Sequence, residues 1–188
     1  MMIKAVLDAN VLYSAPLRGF LLHLATHQEI IPFWSDEIQD EWIRNLLRNR
    51  PDLKRASLER TRRNMAVHFP EGRVWGYESI IQTLWLPDVK DRHVLAAALH
   101  AKAECIVTFN LDDFPSTVLQ SYPIEAISPD EFIFRLLQKR PERIFDVVKL
   151  HRLSLTRPPK TVEEYLATLE KQGIPKTVGV LSKHRADI

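Results

Sequence analysis

The stretch Ile3-Lys4-Ala5-Val6-Leu7-Asp8, close to the start of the chain, decides the fold. Its apolar residues form a short run that ends in a carboxylate, which is typical of a buried strand in a parallel sheet rather than of an amphipathic strand. In open α/β sheets the ligand site lies outside the carboxyl ends of the strands. Asp8 is therefore predicted to lie at the rim of the sheet, although Asp also commonly caps the helix that follows a strand.

The bulk composition limits the class of protein. The chain has 188 residues, of which 45% are hydrophobic, and this suits one domain with a sizeable core, with or without an appendage. The single cysteine, Cys105, lies in an apolar run and fits a reducing compartment. No stretch approaches the roughly 18 apolar residues of a membrane span, and no secretory leader is visible. We therefore expect a cytoplasmic protein with no membrane association.

Further short apolar runs alternate with helical patterns along the chain. More strands are predicted at 30–34, 105–109 and 124–127, whereas 71–87 is either a short helix or a loop. This alternation indicates an α/β fold with a central, mostly parallel sheet flanked by helices. From about residue 129 only helical patterns appear. We therefore predict a domain over 1–128 and a helical extension over 129–188 that packs on it.

Carboxylates recur where the predicted strands lead into helices. They are Asp8 after the first strand, Asp36, Glu37, Asp40 and Glu41 in the helix after the second, Asp88 and Asp91 before an alanine-rich helix, and Asp112 and Asp113 after the third strand. Acids in a first helical turn complement the helix dipole by about 0.3–1 kcal/mol, which explains each one separately. Carboxylates that converge on one crevice repel one another, and a divalent cation removes this repulsion. Mg²⁺ and Mn²⁺ prefer oxygen ligands and can activate water against a phosphodiester.

Three blocks of the sequence resemble the PIN-domain ribonucleases, and their order and spacing resemble the bacterial VapC-type toxins. The blocks are Leu7-Asp8-Ala9-Asn10-Val11-Leu12, then Asp91 ahead of Val94-Leu95-Ala96-Ala97-Ala98-Leu99, then Val107-Thr108-Phe109-Asn110-Leu111-Asp112-Asp113-Phe114-Pro115. The resemblance covers roughly residues 1–128. It implies a three-layer PIN-like fold and an endoribonuclease that cleaves RNA phosphodiesters with metal-activated water. It also implies four acidic positions, which match Asp8, Glu41, Asp91 and Asp113.

The resemblance further implies how these acids work together. Asp8, Asp91 and Asp113 are expected to hold one or two Mg²⁺ or Mn²⁺ ions, directly or through water. Glu41 is expected nearby, but the helical phase does not select it, and Glu37 one turn earlier is its rival.

Several neighbouring residues fit supporting roles or compete for the same roles. Asp112 competes with Asp113, and Asp88 is either a fifth acid or a helix cap. Asn10 and Thr108 fit the orientation of a carboxylate or a bound water. Asn110 fits that role or that of a turn residue.

Basic residues concentrate in 44–63. An acidic metal centre repels RNA, so a nuclease needs a basic surround for the phosphates. A solvated helix face explains any single one of these residues equally well. The residues expected to contact RNA are Arg44, Arg48, Lys54, Arg55, Arg62 and Arg63. His93 and His100 are assigned to the surface or to packing, because no matching third metal ligand accompanies them.

Other functions explain the sequence less well. A haloacid-dehalogenase-type phosphatase needs a second Asp two residues after the first, where this chain has Asn10. A receiver domain needs an acidic pair and a late lysine, and neither is convincingly placed. The remaining alternative is a catalytically inactive PIN-like module that binds RNA or protein, and an acid at all four positions argues against it. The VapC-type resemblance implies a homodimer and a cognate antitoxin protein.

Overall fold

The computed structural model describes residues 2–188 and contains a five-stranded, all-parallel sheet. The strands are β1 (Ile3–Leu7), β2 (Ile30–Ser35), β3 (Arg73–Val74), β4 (Cys105–Val107) and β5 (Glu125–Ile127). Their order across the sheet is β3-β2-β1-β4-β5, and every neighbouring pair runs parallel. The predicted α/β class with a central parallel sheet is confirmed. The fully buried residues of β1, Ala5, Val6 and Leu7, form the centre of the core.

The helices extend over most of the remaining chain. They are α1 (Ala9–Leu12), α2 (Ala15–Thr26), α3 (Asp36–Asn49), α4 (Arg55–His68), α5 (Glu78–Ile81), α6 (Arg92–His100), α7 (Ser116–Leu119), α8 (Pro129–Lys139), α9 (Pro141–Ser154), α10 (Val162–Glu170) and α11 (Pro175–Leu181). Within residues 2–188, none of them has the length and hydropathy needed to cross a membrane.

Strand β3 is an element that the sequence does not predict. Its two residues pair with Trp34 and Ser35 at the end of β2. A strand of two residues is too short to show the alternating or continuous apolar pattern by which strands are predicted. The segment 71–87 therefore contains an edge strand as well as the short helix α5, instead of a helix or a loop alone.

The two helices that carry site residues form for clear local reasons. Ser35 caps α3 by accepting a hydrogen bond from the backbone N–H of Ile38 at 3.1 Å, and Ile38 and Trp42 are fully buried. In α6 the side chains of Ala96, Ala97 and Ala98 are completely buried. Because alanine is small, α6 packs closely against the central strands.

The chain divides into two compact units. The sheet unit contains the described residues up to Tyr13 together with Ile30–Ile127, and the helical unit contains Ser14–Glu29 and Ser128–Ile188. The sequence placed residues 14–29 in the first domain. The structure instead groups them with the C-terminal helices, because α2 packs against α9 and α10. The predicted boundary after residue 128 stays a proposal.

The helical unit contains its own buried ion pairs and caps. Glu29, with only 1% of its side chain exposed, accepts a hydrogen bond from Arg140 at 2.9 Å and forms an ion pair with Arg143 at 2.7 Å. The Asp130 carboxylate accepts from the backbone N–H groups of Lys176 and Thr177, each at 2.8 Å, and so caps α11. These contacts join segments that are distant in the sequence and satisfy charges that burial would otherwise penalise.

Replacing Gly72 by alanine is expected to destabilise the sheet unit by about 1–3 kcal/mol, the usual cost of overpacking. A Cβ atom at this position would lie 2.9 Å from the carbonyl oxygen of Pro32 and 3.1 Å from the ring of Trp34. Thermal unfolding followed by circular dichroism measures the effect.

The matched control is Gly179→Ala in α11, where a Cβ atom would meet nothing within 4 Å. Alanine is the better helix former by about 0.5–1 kcal/mol, so this variant should be unchanged or slightly more stable. If Gly72→Ala unfolds at the wild-type temperature, the turn at 70–72 does not pack on β2 as described.

Candidate active site

The strand order places a topological switch point between β1 and β4. The chain runs from β1 through β2 to β3 on one side of β1, whereas β4 and β5 lie on the other side. Ligands of open α/β sheets bind in the crevice at such a point, outside the carboxyl ends of the strands. Asp8 directly follows β1, and its backbone N–H donates to the carbonyl oxygen of Val107, the last residue of β4, at 3.1 Å. Asp8 and Thr108 therefore meet at this crevice.

The Asp8 carboxylate is held by donors from both strand ends. Only 6% of Asp8 is exposed. One carboxylate oxygen, Oδ2, accepts from the Thr108 hydroxyl at 2.7 Å and from Asn10 Nδ2 at 2.8 Å. The other, Oδ1, accepts from the backbone N–H of Ala9 at 2.7 Å, so Asp8 also caps α1. Burial raises the pKa of Asp8, and the hydrogen bonds from Thr108 and Ala9 oppose that rise.

Thr108 connects this carboxylate to the loop that follows β4. Its hydroxyl oxygen accepts from Asn10 Nδ2 at 2.9 Å and from the backbone N–H of Asn110 at 3.0 Å. Asn10 Oδ1 in turn accepts from the backbone N–H of Phe109 at 3.1 Å. Asn10 and Thr108 thus fix the Asp8 carboxylate and the start of the loop together, whereas Asn110 contributes its backbone to this network.

Asp91 lies in a field of negative charge. It ends a 3₁₀ turn (Val89–Asp91) and precedes α6, and its side chain caps neither. Burial raises the pKa of Asp91 to about 6, with further contributions from four carboxylates: Asp113, Asp8, Asp88 and Glu41. Residues far apart in the chain therefore share one electrostatic environment.

The acidic alternatives left open by the sequence differ in their surroundings. Asp113 is half-buried in the 3₁₀ turn Leu111–Asp113, and its charge is the largest carboxylate contribution to the raised pKa of Asp91. Asp112, in the same turn, is exposed. Asp88 accepts a hydrogen bond from the backbone N–H of Lys90 at 2.8 Å and caps the 3₁₀ turn Val89–Asp91. Its charge also raises the pKa of Asp91.

Glu41 is half-buried on α3 and lies beside His93, which is 5% exposed on α6. Nε2 of His93 is 3.8 Å from Oε2 of Glu41, and Nδ1 of His93 is 3.7 Å from Oε2 of Glu37. His93 holds the pKa of Glu41 below its usual value. The sequence assigned His93 to the surface or to packing, and its burial fits packing. Nothing in the local pattern shows that α6 faces α3.

The carboxylate oxygens of this site are ligands that suit a hard divalent cation, but they do not surround a single point. Within residues 2–188, no three His, Cys, Asp or Glu side chains are grouped closely enough to hold a metal ion as they stand. Mg²⁺ usually keeps several waters and binds through one or two protein carboxylates, so a site of this kind needs no such group. Neighbouring carboxylates raise the pKa of Asp91 because like charges repel, and a bound cation would relieve this repulsion.

The basic residues predicted to contact RNA do not all have the same surroundings. Arg44, Arg48, Lys54, Arg55 and Arg63 are exposed on or beside α3 and α4. Arg62 is different, since only 25% of its side chain is exposed and it pairs with Asp36 at 2.9 Å and with Asp40 at 2.6 Å. Arg62 therefore joins α4 to α3, and its guanidinium is occupied by carboxylates instead of being available to phosphate.

Replacing Thr108 by valine should destabilise the protein by about 1–3 kcal/mol, the cost of leaving a buried polar group without its partner. Valine keeps the shape but removes the hydroxyl that donates to Asp8 and accepts from Asn10 and Asn110. Urea denaturation at neutral pH measures this loss. Thr108→Ser keeps the hydroxyl and is the control; equal stability of the valine variant and the wild type would contradict the described network.

Comparison with known proteins identifies the family. A model described as PIN domain matches residues 4–112, and one described as VapC50 C-terminal domain matches residues 129–183. The candidate ribonuclease VapC50 of Mycobacterium tuberculosis is 38% identical over 98 residues, which are 52% of this chain and 57% of that protein. The matched region therefore spans little more than half the length of that relative, and no solved structure matches. Because the PIN model covers more than half of the chain, this protein belongs to the PIN-domain family.

Proposed function

We propose that this protein is a metal-dependent endoribonuclease and the toxin of a type II toxin–antitoxin pair, acting in the cytoplasm. One observation carries the proposal. The charges of Asp8, Glu41 and Asp113 all raise the pKa of the half-buried Asp91, and Asp8 lies at the switch point of the sheet, where a ligand of this fold binds. Membership of the PIN-domain family and the similarity to a candidate ribonuclease support it.

The acidic residues of the site have two roles in this proposal, metal binding and acceptance of a proton. Asp8, Asp91 and Asp113 hold Mg²⁺ or Mn²⁺, directly or through water, and Glu41 lies beside them. When bound, the ion supplies activation of water and compensation for the charge that builds on the phosphate. A carboxylate of the cluster takes a proton from the attacking water, whose oxygen bonds to phosphorus as the P–O bond to the ribose oxygen in line with it breaks; the departing ribose oxygen takes a proton from solvent. Thr108 and Asn10 keep the Asp8 carboxylate in one orientation, which avoids reorganisation during the reaction.

The exposed basic residues beside α3 and α4 hold the RNA backbone. The carboxylate cluster repels RNA, and Arg44, Arg48, Lys54, Arg55 and Arg63 offset that repulsion. Arg62 is left out of this surface because its guanidinium pairs with Asp36 and Asp40. The proposal also includes a homodimer and an antitoxin that blocks the site, which the family resemblance supports.

Asp8→Asn and Asp91→Asn are each expected to lower RNA cleavage by at least about 10²-fold, the usual loss when one group that stabilises the transition state is removed. Each change removes a negative charge that the cation needs. Purified protein is incubated with total cellular RNA and Mg²⁺ or Mn²⁺, and the cut ends are mapped. A chelator should stop cleavage, and added metal should restore it.

Asp112→Asn is the matched control, because this residue is exposed in the same turn as Asp113. It should retain activity within about threefold, the small effect expected of an exposed surface change. Unchanged cleavage by Asp91→Asn would show that the site is misassigned. RNA binding without cleavage by the wild type, with either ion, would favour the inactive RNA-binding module instead.

Replacing Lys54 and Arg63 together by glutamine should weaken RNA binding most at low salt. Each phosphate contact that is lost should lower the slope of log Kd against log salt concentration by about 0.7–0.9. Binding is measured by fluorescence anisotropy in the Asp8→Asn background, so that the RNA stays intact. Arg50→Gln is the control, because Arg50 already pairs with Asp52 at 2.7 Å. An unchanged slope in the double variant would exclude these residues from the RNA surface.

A further inference from the structure

We propose that His93 is a positioning residue that holds Glu41 at the carboxylate cluster by bridging Glu41 and Glu37. The inference rests on the proposed function, because it gives Glu41 its place in the cleavage of RNA. His93 itself acts through Glu41 and contacts neither RNA nor metal.

The geometry of two helices carries the proposal. Glu37 and Glu41 are four residues apart on α3, so their side chains lie on the same face, one turn from each other. His93 projects from α6 and presents one ring nitrogen to each carboxylate, at 3.7 Å for Glu37 and 3.8 Å for Glu41. A single imidazole thus spans both carboxylates and joins α6 to α3.

The burial of His93 argues against simple packing. It is 5% exposed, and the residues that follow it, Val94 and Leu95, are apolar and completely buried. Its Nδ1 atom is buried and has no hydrogen-bond partner, because Oε2 of Glu37, 3.7 Å away, lies beyond hydrogen-bond distance. A buried polar atom without a partner costs about 1–3 kcal/mol, so an apolar side chain would fill this position at lower cost. The imidazole is therefore explained by the two carboxylates that it faces.

Glu41 links His93 to the reacting region. The charge of Glu41 raises the pKa of both Asp8 and Asp91, so these groups lie within electrostatic reach of one another. His93 lies two residues after Asp91 in the chain. A shift of the Glu41 side chain changes the field at both aspartates, and His93 restricts that shift.

The test compares His93→Phe, which keeps the ring volume, with His93→Gln, which keeps a polar nitrogen. We expect His93→Phe to lower kcat for RNA cleavage by about 10-fold, as removal of a supporting partner commonly does, with KM changed less than about twofold. His93→Gln should recover most of that loss. His100→Phe, at an exposed position of the same helix, is the control and should leave kcat unchanged. Thermal unfolding of each variant separates loss of folding from loss of kcat.

The same change in a Glu41→Gln background isolates the path through Glu41. If His93 acts through Glu41, adding His93→Phe to Glu41→Gln should lower kcat by less than about twofold further, because the coupled pair is already broken. An equal loss in both backgrounds would overturn the proposal. So would equal activity of the phenylalanine and glutamine variants, or wild-type activity of His93→Phe.

A readout without cleavage separates this proposal from the proposed function. The carboxyl ¹³C resonance of Glu41 should move in His93→Phe and stay in place in His100→Phe. If the wild type cuts no RNA but the resonance moves, the proposed function fails and the contact between His93 and Glu41 stands. An unmoved resonance in His93→Phe overturns the positioning proposal.

Discussion

A buried carboxylate at the junction of two strands is the constraint on which the site depends. Asp8 lies where β1 and β4 end side by side, and only 6% of it is exposed. Such a group is tolerated when donors surround it, and here they come from Thr108, Asn10 and the backbone of Ala9. Satisfying this one charge fixes the end of β1, the start of α1 and the loop after β4.

Several carboxylates lie close enough to Asp8 and Asp91 to raise the pKa values of these two residues. The carboxylates of Asp113, Asp8, Asp88 and Glu41 raise the pKa of Asp91, and its partial burial reduces the screening of these charges by water. The packing of the helices sustains this arrangement, because α6 lies against the sheet through small alanine side chains. Such repulsion is the electrostatic condition that the proposed cation would relieve.

Some elements of this fold can be predicted from the sequence and others cannot, for physical reasons. Strands β1, β2, β4 and β5 are predictable, because buried parallel strands appear as short apolar runs. Strand β3 has no such signal, since it contains only two residues. The surroundings of Arg62 and His93 have no sequence signal for a related reason: their partners lie on other helices, and a local pattern records the charge of a side chain but not what faces it.

The sequence by itself determined the α/β class, the placing of Asp8 after the first strand, and the recurrence of acids where strands give way to helices. These follow from local periodicity and from the rule that parallel strands end at one edge. Only the tertiary structure decided the partners: Thr108 on Asp8, His93 between Glu37 and Glu41, and residues 14–29 with the C-terminal helices. Those choices depend on contacts between segments as much as 158 residues apart, which no local pattern encodes.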